Sequence, residues 1–164
     1  MPKVSSLKYY AVAKGEKTGI FLSFKEYEKY VKDRYCKRNR LSNAIGGIGV
    51  FFEDNDIRNL SERLPGEHQT NNRAEIYAAI RALEICNKKE NLIINTNSNY
   101  VIISRDVKKP KTNFDLINRF NDLIKKCEEK TYLKHVKGHS GIYRNKQTDK
   151  LAYLGSKKPE FTRT

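Results

Sequence analysis

A chain of 164 residues has room for one packed domain with a small appendage. Its 38% hydrophobic content and periodic segments exclude wholesale disorder, and no apolar run nears the ~18 residues of a membrane-crossing helix. The net charge of +14 points to a polyanion, nucleic acid first, and the excess lies in two blocks, Lys3 to Arg40 and Lys125 to Lys158.

Met1 to Lys8 lacks the apolar core of a secretory signal, and no mitochondrial presequence is evident. Cys36, Cys86 and Cys127 are odd in number and widely spaced, without C-x-x-C pairing. They read as reduced thiols of an intracellular protein, in the cytoplasm, the nucleus or an organelle, and not as a disulfide frame or zinc site.

In chain order, Lys8 to Phe24 predicts two short strands around a Gly15 to Gly19 turn. A helix follows, with Ser23 and Glu26 spaced as a capping box. Lys14, Lys17 and Phe24 are candidates there for phosphate contact and base stacking. Ala44 to Phe52 predicts a Gly-rich buried strand, Asp54-Asn55-Asp56 a turn, and Ile57 to Leu64 the returning strand of a hairpin. Pro65-Gly66 breaks the chain before His68 to Glu84, a helix capped by Thr70 or Asn71. Its apolar stripe is Ala74, Tyr77, Ala78 and Ile80 to Leu83, and Glu75 falls in the opening turn, where the helix dipole favours a carboxylate.

Leu92 to Asn97 predicts a short strand buried on both faces, and Ser98 to Asp106 a helix stopped before Pro110. Asp115 to Cys127 carries Leu116, Ile117, Phe120, Leu123 and Ile124 on one face of a helix. Tyr132 to Val136 is the last strand, and Asn145 is a candidate cap for a last helix through Leu154. Gly155 to Thr164 reads as a frayed tail. This order implies an α/β fold, a mixed sheet flanked by helices.

The stretch T-N-N-R-A-E at Thr70 to Glu75 and the stretch V-K-G-H-S-G-I-Y-R-N-K-Q-T-D-K-L-A at Val136 to Ala152 resemble the ribonuclease H family. The resemblance covers most of residues 33 to 155 and implies the ribonuclease H-like fold, a mixed five-stranded sheet. Y-Y-A-V-A-K-G-E-K-T-G-I-F-L-S-F, with Phe24 where a Trp is common, resembles the front half of the hybrid-binding module that precedes many eukaryotic-type members. The implied division is a basic, truncated hybrid-binding-like segment over 1–36, a small β-hairpin and helix. A ribonuclease H-like domain over 37–155 and a tail over 156–164 follow, the domain beginning near 28 if Asp33 ends its first strand.

That family hydrolyses the RNA strand of RNA/DNA hybrids with two divalent metals, Mg²⁺ or Mn²⁺, held by four carboxylates. The resemblance places Glu75 and Asp149 among the metal ligands and makes His139 the mobile group near the leaving oxygen. Asn97, in I-N-T-N-S-N-Y, stands where the family has an Asp; an amide keeps the shape and loses the charge, predicting reduced or absent hydrolysis. Asp33 stands at the family's distance before G-G-I-G-V and is either the first ligand or the end of a helix in a chain that has lost its first catalytic strand. Asn39, Asn71 and Asn72 match positions that face the RNA strand, and Thr70 one near the DNA phosphate. Two functions follow as expectations: a hybrid endonuclease impaired by Asn97, or a silent binder of hybrid or structured RNA serving as a scaffold or a ribonucleoprotein component. No membrane partner is implied.

Overall fold

The computed structural model describes residues 7–16, 45–86, 88–89, 91–128, 130–136 and 143–159, with the backbone alone described over 7–16. Five strands, β1 (Leu7–Glu16), β2 (Ile45–Phe51), β3 (Leu60–Arg63), β4 (Leu92–Thr96) and β5 (Thr131–His135), form one sheet in the order β3-β2-β1-β4-β5. β1 runs antiparallel to β2 and parallel to β4, which is parallel to β5, so the sheet is mixed as expected. Four helices accompany it among the described residues: α1 (Asn71–Ile85), α2 (Asn99–Ser104), α3 (Phe114–Lys125) and α4 (Tyr143–Ser156).

The N-terminal strand is longer than expected and differently paired. Its register sets Tyr10 opposite Phe51 of β2 and Asn95 of β4, so it fills the middle of the sheet. The run L-K-Y-Y-A-V-A suits that place, since a central strand covered on both faces tolerates few polar residues. The second strand of the expected hairpin and the capping-box helix lie outside the described residues.

β2 explains the layering, because side chains alternate along a strand. Ile48, Val50 and the following Phe52 enter one buried cluster with Ile76 and Ile80 of α1 and Phe120 of α3. Gly47 and Gly49 face the other way, against α4: a Cβ on Gly47 would stand 1.9 Å from Ala152 O, and one on Gly49 2.5 Å from Thr148 O. Helices therefore cover both faces, α1 and α3 on one and α4 on the other, whose backbone touches bare strand. Each large aliphatic or aromatic side chain in the cluster contributes about 1.5–3 kcal/mol of burial.

α1 is buried more widely than its sequence stripe, Ile76 and Ala79 included, because it lies between the sheet and α3. Gln69 closes the loop before it, accepting from Gly46 N at 2.7 Å and donating to Leu64 O at 3.0 Å. Gly66 has φ +84, so Pro65-Gly66 turns where the sequence places a break. Of the expected returning strand, Leu60–Arg63 forms β3 and Leu64 N still donates to Gly46 O at 2.8 Å; Ile57 to Asn59 belong to the turn, where Asn59 Oδ1 accepts from Phe52 N at 2.8 Å. The last helix starts at Tyr143, so Asn145 is buried inside it and is not its cap, and it continues through Ser156 into the expected tail.

Candidate active site

Thr70, one of the two expected caps, takes the role: its Oγ1 accepts from Arg73 N at 3.3 Å, with Asn71 as the first helical residue of α1. That cap moves Glu75 into the second turn, so the expectation of a carboxylate complementing the dipole in the opening turn does not hold. Glu75 instead sits half-buried between the fully buried Ala74 and Ile76. Burial pushes its carboxyl above the usual range, and a hydrogen bond from Ser98 Oγ to Glu75 Oε2 pulls the other way. Among the described residues Glu75 has no ion pair.

Ser98 reaches Glu75 because β4 ends beside α1. Thr96 Oγ1 accepts from Ser98 N at 3.1 Å, and Ser98 Oγ accepts from Val101 N at 3.2 Å, capping α2. One hydroxyl thus starts a helix and holds a carboxylate. Asn97 stands between the buried Thr96 and Ser98 and is itself half-buried, which brings a neutral amide to the same sheet end as Glu75.

Asp149 rises from α4 on the opposite layer, half-buried, next to the fully buried Thr148 whose carbonyl lies against Gly49. The glycines of β2 fix how near its helix comes to the sheet. Among the described residues no three His, Cys, Asp or Glu side chains gather as a metal site. Of the expected oxygen donors, Glu75, Asp149 and Asn97 are among the described residues.

Asp33, Asn39, His139, Lys17 and Phe24 lie outside the described residues; Lys14 is in β1, its backbone paired with Gly47. With Tyr10 opposite Asn95, the residues of β1 level with the end of β4 are Tyr10, Ala11 and Val12, none of them acidic. Thr70, Asn71 and Asn72 are all exposed at the mouth of α1.

Sequence reasoning missed the role of Arg73. It donates to both carboxylate oxygens of Asp115, at 2.7 and 3.0 Å, and to Asn113 Oδ1 at 3.3 Å, pinning the mouth of α1 to the start of α3. Ser98 was missed as well, though a Ser between a strand and a helix is a cap signal. At the other end, Tyr143 Oη donates to Asp54 Oδ1 at 2.7 Å and Arg144 to Phe52 O at 3.1 Å, tying the start of α4 to the β2–β3 turn.

Residues 30–157 match the family model described as RNase H, and residues 8–37 match that of the Ribonuclease H1 N-terminal domain. The start of the latter stretch, residues 8–16, lies in the strand β1. The chain is 44% identical over 133 residues to a Ribonuclease H of Schizosaccharomyces pombe, covering 73% of this chain and 49% of that protein. Ribonuclease H1 of Homo sapiens is 35% identical over 144 residues, 78% of this chain and 49% of the relative. A Ribonuclease H of Roseobacter denitrificans is 34% identical over 128 residues, 67% of this chain and 84% of the bacterial protein. The chain spans about half the length of the eukaryotic relatives it matches.

Proposed function

This chain belongs to the ribonuclease H family, and we propose that it is an endonuclease acting on the RNA strand of RNA/DNA hybrids, slowed by Asn97. The observation that carries the reading is Glu75, a desolvated carboxyl tied by Ser98 to the strand end where Asn97 stands. Burial disfavours its charged form, and a divalent cation is a partner that would offset that cost.

Glu75, Asp149 and Asn97 would hold Mg²⁺, with Mn²⁺ as the alternative, and Asp33 would complete the set. When bound, such metals supply an activated water and stabilise the leaving oxygen. The side chains do the rest: Ser98 fixes the Glu75 carboxylate, and His139 handles the proton at the leaving group. Asn39, Asn71 and Asn72 read the RNA strand through its 2′-hydroxyls, and Thr70 contacts a DNA phosphate. Lys14, Lys17 and Phe24 add phosphate and stacking contacts. Asn97 offers a neutral oxygen where a charged one binds Mg²⁺ more tightly, so turnover is slow.

A second reading, a silent binder of hybrid or RNA, is favoured by one observation: β1 has no carboxylate level with the end of β4. Cleavage of a labelled RNA/DNA hybrid, in Mg²⁺ and then Mn²⁺, by this chain and by Asn97→Asp separates the two. Cutting that appears or rises in Asn97→Asp supports the nuclease. Binding by both chains with no cutting by either overturns it in favour of the binder.

A further inference from the structure

α4 buries one side and leaves a patterned stripe on the other. Its buried residues are Asn145, Thr148, Ala152, Gly155 and Ser156. At about 100° per residue, the opposite line is Tyr143, Lys146, Lys150 and Tyr153, extended by Lys157 just past the helix end, at intervals of three and four. All five are exposed, with Tyr143 at 53% and Tyr153 at 40%, over a length of about 20 Å.

The stripe is one-signed. Between Tyr143 and Pro159 there are five basic side chains and one acidic, Asp149. The acids Asp54 and Glu62, on the turn and strand beneath α4, are held by Tyr143 and by Arg81. Lys158 is turned away from the stripe, donating to Ser61 O at 2.6 Å. The rings are also oriented in advance. Tyr143 is anchored through Asp54 and sets its ring edge-on to Phe51, while the Lys157 ammonium lies 5.2 Å from the centre of the Tyr153 ring. Lysines between two oriented, half-open aromatic rings are the ingredients of backbone-phosphate contact combined with base stacking.

From this arrangement we propose that the outer face of α4 is a second nucleic-acid surface and binds a single strand. Tyr143 and Tyr153 stack unpaired bases, and Lys146, Lys150 and Lys157 neutralise the phosphates. A duplex would offer its phosphates to the lysines and keep its bases from the rings. The stripe lies on the opposite layer from the mouth of α1, where Asn71 and Asn72 stand, so it adds to the proposed hybrid contacts and does not depend on hydrolysis.

The test is binding of labelled oligo-dT, of a labelled RNA/DNA hybrid and of anionic phospholipid vesicles to the full chain and its variants. Replacing Lys146, Lys150 and Lys157 by Ala should weaken oligo-dT binding. The slope of log affinity against log salt should flatten by about two, at ~0.7 for each phosphate no longer neutralised. Tyr153→Ala should lose about fivefold or more of the affinity, and Tyr153→Phe should keep it. Because the chain has ten Tyr and no Trp, its tyrosine emission should fall on oligo-dT binding, by less in Tyr153→Phe. Hybrid affinity should stay within about twofold throughout, with unchanged circular dichroism confirming the fold. Parent-like oligo-dT binding by the lysine variant and Tyr153→Ala overturns the proposal. So does a parallel loss of hybrid affinity, or a parent chain that takes up vesicles and not oligo-dT.

Discussion

The Ser98 hydroxyl donates to Glu75 Oε2 and accepts the Val101 backbone N–H, so one side chain couples a helix start to the charge state of a half-buried carboxyl. Ser98→Ala removes both. Loss of the cap should cost about 1 kcal/mol and lower the melting temperature by about 2–4 °C. In the Asn97→Asp background, cleavage should fall by about tenfold or more, as when a metal ligand is deprived of the group that orients it. Ser98→Thr should retain most of both. A Ser98→Ala chain with parent stability and parent cleavage would remove Ser98 from the site.

Glu75 itself has a predictable pH signature. Burial raises its folded-state pKa above the unfolded value, the Ser98 hydrogen bond opposing. The folded state therefore binds the proton more tightly, and stability falls as pH rises from the ordinary carboxylate range through the raised folded pKa. Glu75→Gln keeps an oxygen for Ser98 and drops the buried charge. Without divalent metal it should be more stable than the parent at neutral pH, with the gain disappearing at acid pH. Urea unfolding at a series of pH values checks this, and a Glu75→Gln chain less stable at neutral pH would mean that the carboxylate already has a cationic partner.

The glycines of β2 give a sharper packing test. A Cβ on Gly47 would lie 1.9 Å from Ala152 O and 2.4 Å from Ser156 N. Both are backbone atoms, so no rotamer change relieves the clash and α4 must shift as a body. Gly47→Ala should therefore cost about 3 kcal/mol or more, the upper end of overpacking, and move Asp149 with its helix. At Gly46 the neighbours are side-chain atoms of Leu64 and Gln69 at 3.1–3.3 Å, and Gly46→Ala should cost less. Equal unfolding midpoints for the two variants would contradict this account of the interface.

What could be read in the residues was local. Most of the described strands and helices stand within a few residues of their expected bounds, because periodicity and caps are written in short windows. Glu75, Asn97 and Asp149 could be singled out because each stands within a contiguous motif. The pairing of Leu7–Glu16 with strands about forty and eighty residues away was not, since strand propensity does not name a partner. Nor was the turn of Glu75, which depends on whether Thr70 or Asn71 caps the helix. Arg73 and Asp115 are 42 positions apart, and neither motif nor spacing links them.

Across that distance, Arg73 presents two guanidinium nitrogens to the Asp115 carboxylate, and the hydrogen bonds raise the Arg pKa and lower the Asp pKa from their ordinary values. The side chains are 16% and 49% exposed, so water and salt screen the charge and the pair contributes about 0.5–1 kcal/mol. Because the Asp115 pKa is depressed in the folded state, that stability is present above the unfolded carboxylate pKa and is lost as pH falls through the folded one. Arg73→Ala should cost more than Asp115→Asn, because it also strips the donor to Asn113, whose own amide holds Tyr100 Oη at 2.8 Å. A double-mutant cycle on Arg73 and Asp115 by urea unfolding should return a coupling of about 0.5–1 kcal/mol at neutral pH, shrinking at acid pH. Coupling near zero at neutral pH would mean that α1 and α3 are held together by their apolar faces alone, and the Arg of T-N-N-R-A-E would then be open to a role in ligand contact.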